Sequence, residues 1–438
     1  MKIALIHSHL NDRGGSQRYV IEIANNLIAL GLEVDIYCYQ YNKKSCYPEL
    51  TNDLGIYNIC TREESENTGK SYKQESLTKS VLKKIYKNNI MNSIVNSTGI
   101  DYLYSLYVTQ KNAKDVAKLI ITNDKKYDLI FAHEEPLSIY AAIKYKNIRN
   151  IPIYWFCYDT IEKWFLEWKE EHKRSTLRRI LLQKIYFKYD KYLINKYIDR
   201  SAVLDNNMSN RYKRLYGETP LIRRGGVPES ILEYNKENKI RKKYNLSDDM
   251  VIIFSLTRFI NYRRVHDIFD MYEKLPSEIK GKVFIYLNSP ITDEHYYKWC
   301  MEKYKKTLSN KNIVVSLDYP NSDKEMYDMY LSSDIFIFPN ENQTWGHAPL
   351  EAMGCGVTTI VSTGCGVNEV IKKISSEEVY NVTNTSLLAQ RITELIKENK
   401  YNEIGAIQKE YVKNNLTWKI ICEIFMEDFK KLTEIENV

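Results

Sequence analysis

Apolar and polar positions along this chain form two series of strand-like and helix-like segments. In the first series, Lys2 to His7 predicts a strand, Tyr19 to Leu30 has helical periodicity, and Glu33 to Tyr39 predicts the next strand. Asp128 to His133 and Pro152 to Tyr158 predict further strands. Strands that alternate with helices indicate a parallel sheet that is covered by helices on both faces.

A second series of the same kind begins near Met250. Its predicted strands are Val251 to Leu256, Lys282 to Leu287, Ile313 to Leu317, Asp334 to Phe338 and Val357 to Ser362. Its predicted helices are Val265 to Leu275, Asp293 to Leu308, Glu325 to Leu331 and Ser386 to Glu398. Turn-forming residues fill the segment 217–229, which predicts a linker between two α/β domains. Residues 45–95 are polar and irregular and predict a mobile insertion.

Composition and charge agree with an ordinary globular protein. The 438 residues suffice for two domains, and 44% are hydrophobic with a net charge of +7. No run of eighteen apolar residues occurs, and the first residues have the pattern of a strand rather than a signal peptide. The eight cysteines are scattered, which favours reduced thiols over disulfides or a zinc site.

The most specific chemistry lies between Phe338 and Gly356. This stretch follows a buried-strand pattern and enters a helix whose predicted first residue is Pro349. Glu351 is then expected in the first helical turn, at the carboxyl end of a parallel strand, where α/β sheets bind ligands. Glu351 can accept hydrogen bonds from a sugar hydroxyl, or it can simply complement the helix dipole.

The segment from Trp345 to Val357, WGHAPLEAMGCGV, closely resembles the signature of the retaining family 4 glycosyltransferases of the GT-B fold (glycosyl transferases group 1). That signature has two Glu residues separated by seven others. Glu351 matches the second Glu, whereas Gln343 stands at the first. The resemblance implies two Rossmann-like, parallel-sheet α/β domains that face a central cleft.

The resemblance also implies a division of the chain. Residues 1–222 would form the N-terminal, acceptor-side domain, and residues 223–415 would form the C-terminal, nucleotide-sugar-binding domain. Residues 416–438 would pack back on the N-terminal domain, as the last helix of the family usually does.

Two glycines, Gly14 and Gly15, lie between the first predicted strand and helix. They allow close backbone approach, and the helix N-terminus that follows favours an anion, although most Gly-Gly pairs are merely turns. The Gly-x-Gly-x-x-Gly fingerprint is absent here, so a nicotinamide dehydrogenase loses support. By resemblance to the family's Gly-Gly loop, both glycines would face the donor diphosphate.

Three arginines, Arg258, Arg263 and Arg264, follow the first strand of the second series. Arginine binds phosphate through two parallel hydrogen bonds, whereas a solvated basic turn is the plainer interpretation. The resemblance assigns the family's Arg to Arg258 and its Lys to Arg263, with Arg264 as an alternative. These cations would stabilise the departing diphosphate, so neither a metal nor a cofactor is expected.

The resemblance assigns further roles within the signature and in the N-terminal half. Glu351 would hold the ribose, Gln343 would lie near the transferred sugar, and backbone amides around Trp345, Gly346, His347 and Ala348 would face sugar and phosphate. His133 and Tyr158 end neighbouring strands. His133 would lie near the acceptor, although a lone His is commonly structural, and Tyr158 stands where the family has a His near the donor sugar. Glu135 and Asp159 are weaker acceptor candidates.

These observations predict a retaining, metal-independent glycosyltransferase. It would move a sugar from a UDP- or GDP-linked donor to a hydroxyl of a glycan or lipid-linked acceptor, in polysaccharide biosynthesis. A non-catalytic GT-B scaffold protein that binds a nucleotide sugar or glycan is the alternative, motivated by Gln343 and Tyr158. An epimerase or phosphorylase of the same fold is a third possibility.

Residues 173–196 carry eight basic residues against one acid, Asp190, interleaved with apolar side chains. A helix of this composition can lie on an anionic lipid surface, or it can be an ordinary surface helix whose apolar stripe packs on the sheet. No nucleic-acid-binding module is recognisable. The expected location is therefore the cytoplasm, with peripheral contact at the inner face of the cell membrane.

Overall fold

The computed structural model describes residues 1–61, 100–134, 136–160, 177–235, 237–318, 320 and 322–435. The chain divides into two compact units. The N-terminal unit comprises Met1–Arg223 and Cys422–Val438, and the C-terminal unit comprises Arg224–Ile421. Each unit is built around one parallel sheet.

The N-terminal unit alternates strands with helices. Its strands are β1 (Lys2–Leu10), β2 (Glu33–Tyr41), β3 (Gly55–Thr61), β4 (Leu129–His133), β5 (Ile153–Cys157), β6 (Arg200–Val203) and β7 (Leu221–Ile222). Its helices include α1 (Gly15–Ala29), α2 (Ile100–Thr122), α3 (Leu137–Arg149), α4 (Leu177–Tyr197) and α5 (Asn206–Tyr216). Among the described residues the strands form one sheet of order β3-β2-β1-β4-β5-β6-β7, and every pair is parallel.

The C-terminal unit repeats this architecture. Its strands are β8 (Val251–Leu256), β9 (Val283–Asn288), β10 (Ile313–Ser316), β11 (Ile335–Phe338), β12 (Thr358–Ser362) and β13 (Val379–Tyr380). Its helices include α6 (Lys239–Lys243), α7 (His266–Lys274), α8 (Ser277–Lys280), α9 (Glu294–Lys303), α10 (Lys305–Leu308), α11 (Asp323–Leu331), α12 (His347–Gly354), α13 (Asn368–Ile374), α14 (Thr385–Glu398) and α15 (Tyr401–Asn415), and α16 (Trp418–Ile435) begins in this unit. The described strands form a parallel sheet of order β10-β9-β8-β11-β12-β13.

Both sheets are buried on their two faces, which explains the unbroken apolar runs in the sequence. All residues of β4, β5, β8, β9, β11 and β12 are buried. The strand order reverses between β1 and β4 in one sheet and between β8 and β11 in the other. Such switch points, at the carboxyl ends of the strands, are where open α/β sheets bind ligands. The predicted α/β class is confirmed.

The second half of α16 packs on the first sheet. Phe425 lies 5.4 Å from the Phe131 ring, centroid to centroid. Asp428 accepts a hydrogen bond of 2.9 Å from the Tyr154 hydroxyl and two of 2.7 Å from the Arg223 guanidinium. This paired arrangement, in which Arg donates from Nε and Nη2, fixes the direction of the helix on the sheet.

Two predicted elements are wrong. The segment 45–95 is not irregular throughout, because Gly55–Thr61 forms β3 and pairs with β2 along its length. An edge strand needs only one partner, so its polar residues are tolerated; residues 62–99 lie outside the described part. The helix predicted from Asp293 to Leu308 is two helices, since the backbone at Tyr304 leaves the helical geometry.

Two further observations concern the composition. All eight cysteines are free thiols. Across the described ranges, no helix is both long enough and apolar enough to cross a membrane.

Candidate functional site

Helix α12 begins earlier than the sequence predicts. Gly346 is its N-cap and His347 its first residue, so Pro349 is the third residue rather than the first. The prediction fails because the N–H group of the third position also lacks an intrahelical acceptor, so proline is tolerated there. Glu351 consequently lies in the second turn, beyond the region where the helix dipole acts strongly.

Glu351 is nevertheless placed by a specific contact. Its carboxylate is 5% exposed and accepts a hydrogen bond of 3.2 Å from the Tyr330 hydroxyl. Tyr330 lies at the end of α11, next to β11 in sequence. A carboxylate accepts hydrogen bonds on both of its oxygens, and the Tyr330 hydroxyl fixes the orientation of this one. The dipole interpretation therefore loses support, and the ribose-binding role stays a prediction.

The turn that precedes α12 has an unusual backbone. Trp345 has a φ of 57° and Gly346 a φ of 113°, both in the left-handed region. The Trp345 ring is completely buried, and its carbonyl accepts hydrogen bonds from the Val367 amide and the Cys365 thiol. The Trp345 ring therefore holds this turn in the core rather than facing a ligand. Non-glycine residues with positive φ are strained and cluster at functional sites.

A second loop holds Gln343 in position. The Gln343 amide donates to the Gly364 carbonyl at 3.0 Å, and the Gly366 amide donates to the Gln343 carbonyl at 2.9 Å. A Cβ atom on Gly364 would come within 2.1 Å of the Glu341 carbonyl oxygen. Only glycine permits this close approach of two backbones.

The Arg264 side chain forms ion pairs within the C-terminal unit. Its Nε and Nη2 donate to the two carboxylate oxygens of Asp267 at 2.9 and 2.8 Å, and Nη1 donates to Glu341 at 3.3 Å. Asp267 is completely buried near the start of α7. Removing Arg264 would leave that carboxylate buried without its cation, so the observed geometry gives Arg264 a structural role.

Arg263 has a different environment. One of its terminal nitrogens donates to Gln343 Oε1, while its buried Nε has no hydrogen-bond partner among the described residues. Among the described residues, no carboxylate oxygen lies within 4 Å of the Arg263 guanidinium nitrogens. Burial lowers the pKa of Arg263, and the charge of Arg258 lowers it further. A guanidinium nonetheless stays protonated in proteins.

Arg258 is exposed just beyond β8, and it too has no acidic partner in the described ranges. We call Arg258 and Arg263 the arginine pair. Two cations close together without a counter-charge form a site that suits a multivalent anion such as a diphosphate.

Sequence reasoning missed three polar side chains at the same edge of the C-terminal sheet. Ser255 Oγ, Asn288 Oδ1 and Ser289 Oγ are buried and have no hydrogen-bond partner within the described chain. They lie in or directly after β8 and β9. The available signal was the position of polar residues at the ends of buried apolar runs.

The glycine pair of the N-terminal unit opens α1. Helix α1 begins at Gly15 with Gly14 as its N-cap, four residues before the predicted start at Tyr19. The Gly14 carbonyl accepts a hydrogen bond of 3.2 Å from the Tyr47 hydroxyl. Both glycines therefore lie at a helix N-terminus directly after β1, at the switch point of the sheet.

His133 and Tyr158 are brought together beside this turn. His133 is completely buried at the end of β4, and its Nδ1 lies 3.2 Å from the Tyr158 hydroxyl. Its Nε2 has no hydrogen-bond partner among the described side chains and backbone. Burial lowers the pKa of His133 well below its ordinary value and raises the pKa of Tyr158. Both groups are neutral near pH 7.

Two more residues of this cluster were missed. His7 is completely buried in β1, and its Nε2 lies 3.4 Å from a carboxylate oxygen of Glu134. Glu134 has a φ of 67° and accepts a hydrogen bond of 3.4 Å from the Ser16 hydroxyl. Burial lowers the pKa of His7 to about 4 and raises the pKa of Glu134. Asp159 is half-buried after β5, and Glu135 lies outside the described residues.

The structure thus groups the predicted residues at two sheet edges. Gly14, Gly15, His133 and Tyr158 lie at the carboxyl edge of the N-terminal sheet. The arginine pair, Gln343, Glu351 and the turn at 345–348 lie at the corresponding edge of the C-terminal sheet. Glu369 forms an ion pair of 3.3 Å with Arg224.

Two family models match this chain. The model described as "Glycosyltransferase Family 4" matches residues 13–221, and the model described as "Glycosyl transferases group 1" matches residues 236–412. The chain belongs to the family 4 glycosyltransferases of the GT-B fold. The resemblance stated for the signature segment is therefore confirmed.

Individual members and solved structures agree with this family. N-acetyl-alpha-D-glucosaminyl L-malate synthase of Bacillus anthracis is 24% identical over 188 residues, which cover 42% of this chain and 47% of that protein. The chain thus matches less than half the length of this relative. Sucrose-phosphate synthase from Thermosynechococcus elongatus has a TM-score of 0.69 at 14% identity, with 99% of both chains covered. Anabaena HepE, solved with UDP and glucose, has a TM-score of 0.67 at 12% identity, with 98% of this chain and 100% of HepE covered.

Proposed function

We propose that this protein is a retaining, metal-independent glycosyltransferase. It transfers a sugar from a nucleoside diphosphate donor to a hydroxyl of a glycan or lipid-linked acceptor. The observation that carries the proposal is the arginine pair. A half-buried cation without a counter-charge is costly, and a diphosphate supplies the missing negative charge.

The chemistry follows from where charge develops. The bond between the anomeric carbon of the sugar and the β-phosphate oxygen breaks, and its electron pair stays on the phosphate. Positive charge grows on the sugar ring. Arg258 and Arg263 stabilise the growing negative charge, which is the role that a metal ion would otherwise fill. The acceptor oxygen forms the new bond on the face that the diphosphate leaves, and the departing phosphate takes up the hydroxyl proton.

Gln343 strengthens this arrangement rather than weakening it. A glutamate at this position would place a carboxylate against Arg263 and pair with its charge. The neutral amide of Gln343 positions the guanidinium and leaves its charge available to the donor. The departure from the family signature therefore favours an enzyme over a scaffold protein.

The remaining residues are assigned by their chemistry. Glu351 accepts hydrogen bonds from the ribose hydroxyls, and Tyr330 orients its carboxylate. His133 and Tyr158 offer neutral donors and acceptors to sugar hydroxyls. The UDP and glucose in the HepE structure support a nucleotide sugar of this class as the donor.

The test is diphosphate release from a panel of UDP-, GDP- and ADP-sugars in the presence of EDTA. We expect slow hydrolysis of one donor, which the Arg258→Ala and Arg263→Ala variants lose. Lys298→Ala removes an exposed cation elsewhere in the same unit and is the matched control. Restoration of the rate only by added divalent metal would contradict metal independence.

Retention is tested on the product. The anomeric configuration of the new linkage, read by proton NMR, should equal that of the donor. If no donor turns over even with membrane extract added as an acceptor source, while nucleotide still binds, the protein is a scaffold and the proposal fails.

A further inference from the structure

Helix α4 buries one face in the N-terminal unit. Tyr186, Leu193 and Ile194 are buried, and the last two join the core beneath the sheet. Asp190 is buried on this face and accepts a hydrogen bond of 2.8 Å from the Tyr216 hydroxyl. This face satisfies the ordinary expectation that an apolar stripe packs on the sheet.

The opposite face of α4 is apolar as well. Leu181 is 57% exposed, Ile185 56%, Tyr189 47% and Tyr192 54%. Steps of four, four and three residues place these side chains on one side of a helix. With Ile180, this helix holds five of the fifteen large apolar side chains that are exposed among the described residues. Such a concentration marks an interaction surface rather than chance exposure.

Lysines share the exposed face. Lys184, Lys188 and Lys191 are exposed and have no acidic partner within 4 Å in the described ranges. Asp190, the acidic residue among 180–197, points to the core instead. The face that Leu181, Lys184, Ile185, Lys188, Tyr189, Lys191 and Tyr192 form, which we call the α4 face, is therefore apolar and purely cationic.

We propose that the α4 face binds an anionic lipid surface. Leu181 and Ile185 would enter the boundary between headgroups and acyl chains, while the lysines extend toward lipid phosphates. Tyr189 and Tyr192 suit the headgroup level, where tyrosine is enriched. A second copy of the chain is a poorer occupant of this face, because a symmetric contact would set lysines against lysines.

The lipid contact goes beyond the proposed reaction. It would hold the N-terminal unit at a membrane, where a lipid-linked acceptor is located. The encounter with such an acceptor rests on the proposed function, whereas the lipid contact itself does not.

The test is co-sedimentation of the full chain with vesicles. Phosphatidylcholine vesicles that contain phosphatidylglycerol are compared with pure phosphatidylcholine, at low and high salt. We expect binding to the anionic vesicles that salt weakens. The triple variant Lys184→Gln, Lys188→Gln and Lys191→Gln should bind roughly 100-fold more weakly, at about fivefold per lysine.

Two further variants make the test specific. Lys298→Gln with Lys305→Gln and Lys306→Gln removes the same charge from exposed positions of the C-terminal unit and should bind like the unaltered protein. Leu181→Ser with Ile185→Ser should weaken binding by at least tenfold even at low salt, because the inserted apolar groups are lost. Circular dichroism and thermal unfolding check that each variant is folded.

Three outcomes would overturn the proposal. The first is no preference for anionic vesicles, and the second is an equal loss of binding in the control triple variant. The third is a change of oligomeric mass in the Leu181→Ser, Ile185→Ser variant without an effect on vesicle binding, which would show that the face contacts a second copy. Diphosphate release without vesicles should be unchanged in all variants, so failure here is distinguishable from failure of the proposed reaction.

Discussion

The two sheets carry polar groups at equivalent edges, but the groups at one edge are neutral and the arginines at the other are charged. At the N-terminal edge, His7, His133 and Tyr158 are neutral near pH 7, because burial moves each pKa away from neutrality in the direction of the uncharged form. At the C-terminal edge, Arg263 stays charged although burial lowers its pKa, because a guanidinium does not give up its proton, and Arg258 adds an exposed cation. Charge stabilisation therefore belongs to the C-terminal edge and hydrogen bonding to the N-terminal one.

A smaller contrast of the same kind separates two adjacent residues. Arg264 pairs with two carboxylates, whereas Arg263 contacts a neutral amide. A paired cation stabilises the fold, and an unpaired one remains available for a ligand. Substitutions can test each half of this comparison.

The largest expected effect is structural. Arg264→Ala should lower the free energy of unfolding by about 3–5 kcal/mol, because Asp267 is left buried without its partner. Urea unfolding measures the loss. The double variant Arg264→Ala, Asp267→Asn should recover part of it, and a single variant as stable as the unaltered protein would mean that the pair is not needed.

Arg263→Ala should act on catalysis instead. Loss of one preorganised donor to the leaving group should lower kcat by roughly 10²–10³-fold, or about 3–4 kcal/mol. Steady-state diphosphate release at saturating donor gives this value. A kcat within threefold of the unaltered protein would break the distinction between Arg263 and Arg264.

The neutral histidines predict a pH dependence of stability. The folded pKa of His7 is about 4, below the ordinary 6.5, so the unfolded chain binds more protons between these values. His7 therefore does not lower the free energy of unfolding well above pH 6.5. As the pH drops toward 4, this group lowers it by on the order of 3 kcal/mol. Glu134, whose raised pKa gives the opposite slope, lies against it.

The measurement compares His7→Gln with the unaltered protein by urea unfolding at pH 7 and pH 4. The variant should show the smaller loss on acidification. An equal decrease in the free energy of unfolding in both proteins would show that protonation of His7 does not destabilise the folded state.

The smallest expected effect concerns Gln343. Gln343→Glu should lower kcat by roughly tenfold, because an ion pair between a carboxylate and Arg263 is stronger than the present hydrogen bond to an amide by about 1–1.5 kcal/mol and would hold Arg263 away from the donor. Gln and Glu are nearly isosteric, so this substitution tests the effect of charge alone. A rise in kcat would show that the carboxylate of the family signature is the better group here.

Much of the architecture was predictable because strands that are buried on both faces consist of consecutive apolar residues. The runs that became β8, β9 and β11 were placed within one residue of their observed bounds. Strand β7 has only two residues, and β6 contains Arg200 and Ser201 among its four, so neither is an apolar run. Both form because neighbouring strands supply the hydrogen bonds.

The sequence by itself determined the two α/β series, the family signature and the presence of cations after β8. It did not decide which arginine can bind a ligand, because Arg263 and Arg264 are adjacent residues of the same type. That choice depends on the left-handed backbone at Arg264, which turns its side chain to Asp267. The contact of His7 with Glu134 likewise arises from the pairing of β1 with β4 across more than 120 residues, which no local pattern encodes.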